Sequence, residues 1–126
     1  LRGEGELIFT ATASEGKIMA LSDAGAHTIV LPDESGKVDL GRMMRTLADY
    51  EINEVLVEAG ARLNGALIRA GLVDELVIYL APCLIGDAAQ SMLNLPELTD
   101  LTGKRALKIQ DLRMVGADIR IVARFG

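Results

Sequence analysis

Glu58 and the three small residues after it, Ala59, Gly60 and Ala61, are the stretch of this sequence best suited to chemistry. Glu58 follows an apolar run, Val55-Leu56-Val57, of the kind that forms a buried strand. A carboxylate at the end of such a strand can accept hydrogen bonds from a substrate N–H or hydroxyl. It should not face a phosphate, because like charges repel. Ala59-Gly60 reads as a tight turn. Leu63, Ala66, Leu67 and Ala70 then recur at helical spacing, and Gly71 reads as the stop. A turn of this kind brings the backbone N–H groups of a helix N-terminus to the carboxyl edge of a sheet, where phosphates and dinucleotides bind. Small side chains let such a ligand come close. Gly65 inside the helix costs about 1 kcal/mol relative to Ala, so something needs close approach there, either a ligand or the sheet itself. The glycine spacing alone is a weak pattern. Its plainer reading is helix–strand packing, and that of Glu58 is a solvated strand end.

Other residues offer less. Thr10 and Thr12 end an apolar strand and could meet a cofactor's ribose or phosphate, although threonine also simply suits a pleated surface. Arg45, Arg62 and Arg69 could each meet a phosphate, and each also reads as a solvated surface arginine. Asp74-Glu75 reads as a strand entry. Cys83 has no basic flank to activate a thiolate and reads as a small hydrophobe. His27 begins a strand with no carboxylate or hydroxyl partner in view, so no catalytic triad is supported.

Composition narrows the classes. The 126 residues suffice for one domain with one core. A net charge of −5 and an aromatic content of 3% argue against a nucleic-acid surface, which needs basic patches and stacking rings. No apolar run reaches the length of a membrane span, and no secretory signal pattern opens the chain. One cysteine and one histidine, far apart, make a zinc site improbable. The single cysteine cannot form an intrachain disulfide, which points to a reducing, cytoplasmic setting. The chain begins at Leu1 without Met, and Arg2-Gly-Glu-Gly5 leads directly into a strand; this reads as part of a longer protein, with a trimmed start as the alternative.

The elements that must position Glu58 and the turn can be read in order. Glu6–Thr12 is apolar and β-branched, a strand. Ser14 reads as the N-cap of a short helix that turns Ile18 and Leu21 inward and ends at Gly25. His27–Leu31 is the next strand, stopped by Pro32, and Asp33-Glu-Ser-Gly36 is turn chemistry. Asp39 caps a helix whose Leu40, Met43, Met44 and Leu47 fall at i, i+3, i+4 and i+7. After the central stretch, Leu76–Ala81 reads as a strand. Asp87–Lys104, with scattered leucines, Pro96 and Gly103, reads as a loop with short helical turns wrapped on the sheet. Leu107 and Ile109 then alternate with polar residues, and so do Leu112 and Met114, but in the opposite phase. That flip, near Gln110-Asp111, predicts a β-bulge. Val115-Gly-Ala-Asp118 predicts a hairpin, with Ile119, Ile121, Ala123 and Phe125 on one face of the last strand. The pattern is an α/β sheet of mixed strand direction closed by an antiparallel hairpin.

The block Ile52–Leu76, continuing through Tyr79-Leu-Ala-Pro82 and Leu84-Ile-Gly86, resembles the reductase domain of the bifunctional riboflavin-biosynthesis deaminase/reductase. Val38-Asp39-Leu40 and the Val115-Gly116 hairpin fit as well, and the likeness spans essentially residues 1–126. The resemblance implies a dihydrofolate-reductase-like three-layer fold with a mixed sheet. It implies an NADPH-dependent reduction of 5-amino-6-(5-phosphoribosylamino)uracil to its ribityl form. Glu58 then takes the role of the family's substrate-contacting carboxylate. Gly60, Ala61, Arg62, Leu63, Asn64, Gly65 and Ala66 take that of the segment that holds the cofactor. No metal is implied for this half, and no residue is assigned a catalytic role. Ala59 stands where the family often has glycine, and Cys83 where a lysine is common.

The resemblance also implies that the reductase domain begins well upstream of Leu1, with a zinc deaminase domain further upstream. The N-terminal strands would be missing, one of them from between the strand ending at Glu58 and Leu76–Ala81. A sheet without interior strands exposes unpaired backbone and apolar faces, so the 126 residues are expected to be inactive alone: they close the gap by rearranging, recruit strands from another copy, or are the ordered remnant of a longer chain. The unpaired edges favour a homo-oligomer. Two other readings stay open: a non-catalytic oligomerising module, and a different dihydrofolate-reductase-like reductase.

Overall fold

The computed structural model describes residues 5–12 and 14–126. Residues 1–4, read above as the lead into the first strand, lie outside the described residues. The chain divides into two compact units, Leu1–Leu56 and Val57–Gly126.

In the first unit, β1 (Leu7–Thr10) pairs in parallel with β2 (His27–Val30), from Leu7 opposite His27 to Thr10 opposite Val30. Parallel neighbours require a crossover, which α1 (Glu15–Asp23) supplies. Ser14 stands at its N-cap, as expected, but its side chain makes no capping hydrogen bond. Ile18 and Leu21 are only half-buried, so α1 is a lightly anchored connector. Beyond β2, Asp33 builds the expected turn. Its Oδ1 accepts from the Ser35 N–H, the Ser35 hydroxyl and the Lys37 N–H, each at 2.8 Å. The Lys37 N–H and the Ser35 hydroxyl hold its carboxyl below the ordinary carboxylate range. The turn returns the chain to α2 (Leu40–Asp49), where Asp39 Oδ1 accepts from the Arg42 N–H at 2.9 Å. That is the expected cap, satisfying one orphan donor of the first turn.

The three α-helices of the described residues close in one way. In α1 the Ala26 N–H reaches the Leu21 carbonyl and the Gly25 N–H that of Ser22. In α3 (Ala61–Arg69) the Leu72 N–H reaches Leu67 and the Gly71 N–H reaches Ile68. This bond pair needs a residue in the left-handed region, and Gly25 and Gly71 supply it at φ 88° and 67°. In α2 the same bonds run from Ile52 to Leu47 and from Glu51 to Ala48, with Glu51 at φ 61°.

The second unit holds α3 and an antiparallel sheet of β3 (Glu75–Leu80), β4 (Leu107–Val115) and β5 (Asp118–Phe125), in the order β3-β5-β4. The register shifts between Ile109 and Asp111, so the bulge lies where the phase flip places it. Gly116, at φ 61°, turns the hairpin. Between β3 and β4 the chain is irregular apart from a 3-10 turn at Leu101–Gly103. Residues directly opposite each other share a sheet face. One face therefore carries Leu76, Ile78, Leu80, Ile119, Ile121, Ala123, Phe125, Leu107, Ile109, Leu112 and Met114, and nothing polar. The other carries ion pairs, Arg124–Glu75 at 3.0 Å and Arg120–Asp111 at 3.1 Å. Among the described residues of this unit, Gly65, Leu67, Ile68, Val122 and Ala123 are buried.

One expected element is absent. Val55-Leu56-Val57 forms no strand, and all three residues are exposed, Leu56 at 77%. Apolar, β-branched composition favours extended backbone, but a ladder also needs a neighbour's N–H and C=O groups. Among the described residues no strand pairs with this run. The described residues hold two sheets, a parallel pair in the first unit and an antiparallel three-stranded sheet in the second.

Candidate functional site

Glu58 and the segment Gly60–Ala66 lie in the second unit. Glu58 is exposed in the irregular stretch ahead of α3. Its carboxylate makes no hydrogen bond or ion pair among the described residues, so it is free to accept from a ligand. Gly60 is the N-cap residue of α3, with extended backbone at φ −78°, ψ 168° and no side chain to cap with. Asn64 N–H donates to the Gly60 carbonyl at 3.1 Å, the first bond of the helical ladder. The N–H groups of Ala61, Arg62 and Leu63 have no protein acceptor among the described residues. A helix N-terminus with unclaimed donors and a favourable dipole is suited to an anion. Arg62 is exposed on the first turn and adds a positive charge to it.

The rest of the segment holds this geometry. Asn64 Nδ2 donates to the Ala59 carbonyl at 2.9 Å, tying the helix to the turn before it. Gly65 is buried. A Cβ built on it would overlap the backbone of Asn94, with the carbonyl carbon at 2.7 Å and the nitrogen at 3.0 Å. The close approach that a glycine at this position calls for is thus made by a loop of the chain's own backbone. Sequence reasoning offered a ligand or the sheet as the neighbour, and missed this loop because scattered leucines and one proline carry no signal of where a loop lies. Asn94 N–H also donates to the Ala61 carbonyl at 2.9 Å, and Arg69 Nη1 donates to the Asn94 carbonyl at 2.5 Å. Arg69 is therefore engaged on protein backbone.

The remaining candidates are not drawn into this site. The Thr10 hydroxyl accepts from the Thr12 N–H at 3.2 Å, a local turn contact. Arg45 lines an open depression of about 380 Å³ with Leu31, Arg42, Thr46, Ala48 and Asp49, all within the first unit. A second depression, of about 410 Å³, lies between Ile68, Gly71, Val73, Lys104–Ala106 and Phe125. Neither is lined by Glu58 or by any of Gly60–Ala66. Glu75 is paired with Arg124. His27 and Cys83 are both exposed. No group of three potential metal ligands occurs among the described residues. Among the described residues no helix is long and apolar enough to cross a membrane.

Comparison with known proteins gives a consistent picture. The family model of the RibD C-terminal domain matches residues 3–121. The riboflavin biosynthesis protein RibD of Escherichia coli is 42% identical over 93 residues, which are 74% of this chain and 25% of that protein. A 5-amino-6-(5-phosphoribosylamino)uracil reductase of Buchnera aphidicola subsp. Acyrthosiphon pisum is 32% identical over 94 residues, 75% of this chain and 45% of that one. The structure of Acinetobacter baumannii RibD superposes with a TM-score of 0.80 at 27% identity, covering 95% of this chain and 31% of that one. The chain spans about a quarter of the length of the RibD proteins it matches. The fold is the dihydrofolate-reductase-like α/β fold of such reductase domains.

Proposed function

This chain belongs to the RibD C-terminal domain family, and from that premise we propose that it is part of an NADPH-dependent reductase of riboflavin biosynthesis. Its substrate is 5-amino-6-(5-phosphoribosylamino)uracil, the compound named for the Buchnera relative, and its product the ribityl counterpart. The observation that carries this reading is the uncapped N-terminus of α3 directly after Glu58, where three backbone N–H groups stand unclaimed beside small residues. Gly60, Ala61, Arg62, Leu63, Asn64, Gly65 and Ala66 would hold the nicotinamide cofactor, and Glu58 would accept hydrogen bonds from the substrate. The bound cofactor supplies the hydride. The protein's part is to hold the reacting groups in place and to set the local charge. Glu58 keeps its carboxylate away from phosphate and spends it on N–H or hydroxyl donors. An exposed, unpaired Cys83 accords with a reducing, cytoplasmic compartment.

Val55–Val57 lack a ladder neighbour among the described residues, and much of the apolar sheet face is uncovered. On those grounds the 126 residues alone are inactive and self-associate. A non-catalytic, oligomerising role is the second reading, favoured by the same apolar face. Glu58→Gln in the full natural chain separates the two. The substitution keeps the shape and removes the charge. Turnover is expected to fall at least ~10-fold while NADPH affinity stays within about twofold. Unchanged turnover removes Glu58 from the substrate site.

A further inference from the structure

Three contacts fasten one loop across α3. The Asn94 N–H bonds the Ala61 carbonyl, the Asn94 backbone lies against Gly65, and Arg69 Nη1 bonds the Asn94 carbonyl. All three are made at the backbone of one loop residue, Asn94, and they engage helix residues from the first of α3 to the last. Leu93 is half-buried while Met92 and Asn94 on either side are exposed, so the loop is anchored here by one apolar side chain as well. A helix of nine residues is marginal without tertiary support. Its orientation, and with it the direction of the Ala61, Arg62 and Leu63 N–H groups, depends on what holds it.

We infer that Arg69 and the Leu93–Asn94 segment form a clamp that sets the position of the N-terminal half of α3, making Arg69 a positioning residue for cofactor binding. The inference rests on the cofactor reading above and adds to it a residue eight positions from the helix start, engaged on the Asn94 carbonyl. Arg69 acts through Asn94 on Ala61, and the missing Cβ of Gly65 lets the loop come close enough for both bonds.

The test uses NADPH titration by fluorescence on the full natural chain, with amide hydrogen exchange in parallel. The variants are Arg69→Ala, Arg69→Lys and Arg113→Ala, the last removing an exposed arginine from the sheet. Arg69→Ala is expected to weaken NADPH binding about fivefold and to speed exchange at the amides of Asn64 to Ala66. Arg69→Lys, which can still donate to the Asn94 carbonyl, recovers most of the affinity. Arg113→Ala binds as the parent does. An Arg69→Ala variant that binds NADPH as tightly as the parent overturns the clamp. So does an equal loss in Arg113→Ala, which would make the effect one of net charge. A parent protein with no affinity for NADPH overturns the cofactor reading and the clamp's role with it, a result distinct from both.

Discussion

A Cβ at position 65 would overlap the Asn94 backbone, and this decides the sign of a simple substitution. On an exposed helix face, Gly→Ala gains about 1 kcal/mol from helix propensity. Here the new methyl meets backbone, which cannot rotate away, and overpacking costs about 1–3 kcal/mol. Gly65→Ala is therefore expected to destabilise the protein by ~1 kcal/mol net, measured by urea denaturation. A gain would mean that the loop does not lie on the helix. The residue-level signal in the sequence was real, since a glycine in a helix needs a reason. Which neighbour supplies the reason was not legible, because nothing local to Met92–Leu95 says where that loop folds. Arg69 shows the same limit. Its type permits both solvation and anion binding, and only the fold reveals the carbonyl it meets.

Among the elements, those governed by local chemistry were legible. Asp39 caps α2, Gly25 and Gly71 end their helices, and a phase flip announces the bulge near Gln110. Each is set by a few adjacent residues. The end of α2 was less visible, because Glu51 occupies the left-handed position that glycine fills in the other two helices. A non-glycine residue in that region costs about 1–2 kcal/mol, and glycine gives part of this back through the freedom it adds to the unfolded chain. Glu51→Gly is expected to raise stability by roughly 0.5–1 kcal/mol. A thermal melt that shifts downward would contradict that account of the α2 terminus. Val55–Val57 fail as a strand for a reason no local pattern contains. Patterning selects the conformation, and pairing requires another strand.

For the whole molecule, the apolar face of the second unit is the largest unmet demand. Ile109, Leu112 and Met114 on the edge strand β4 are each about 60% exposed, and no polar residue interrupts the face. Contiguous exposed apolar surface marks an interaction site. Self-association is expected to appear as a concentration-dependent mass in light scattering, and Leu112→Lys is expected to weaken it by ~10-fold or more. A monodisperse monomer at every concentration would contradict it. The fold class was legible from the strand–helix order and the final hairpin. The split into two ladders was not, since it depends on which strands find neighbours. The cofactor role of α3 is read out by backbone amide NMR during NADPH titration of the full natural chain. Shifts are expected to concentrate at Gly60–Ala66, largest at Ala61, Arg62 and Leu63. Absence of binding, or shifts confined to the Arg42–Arg45 depression, would contradict it.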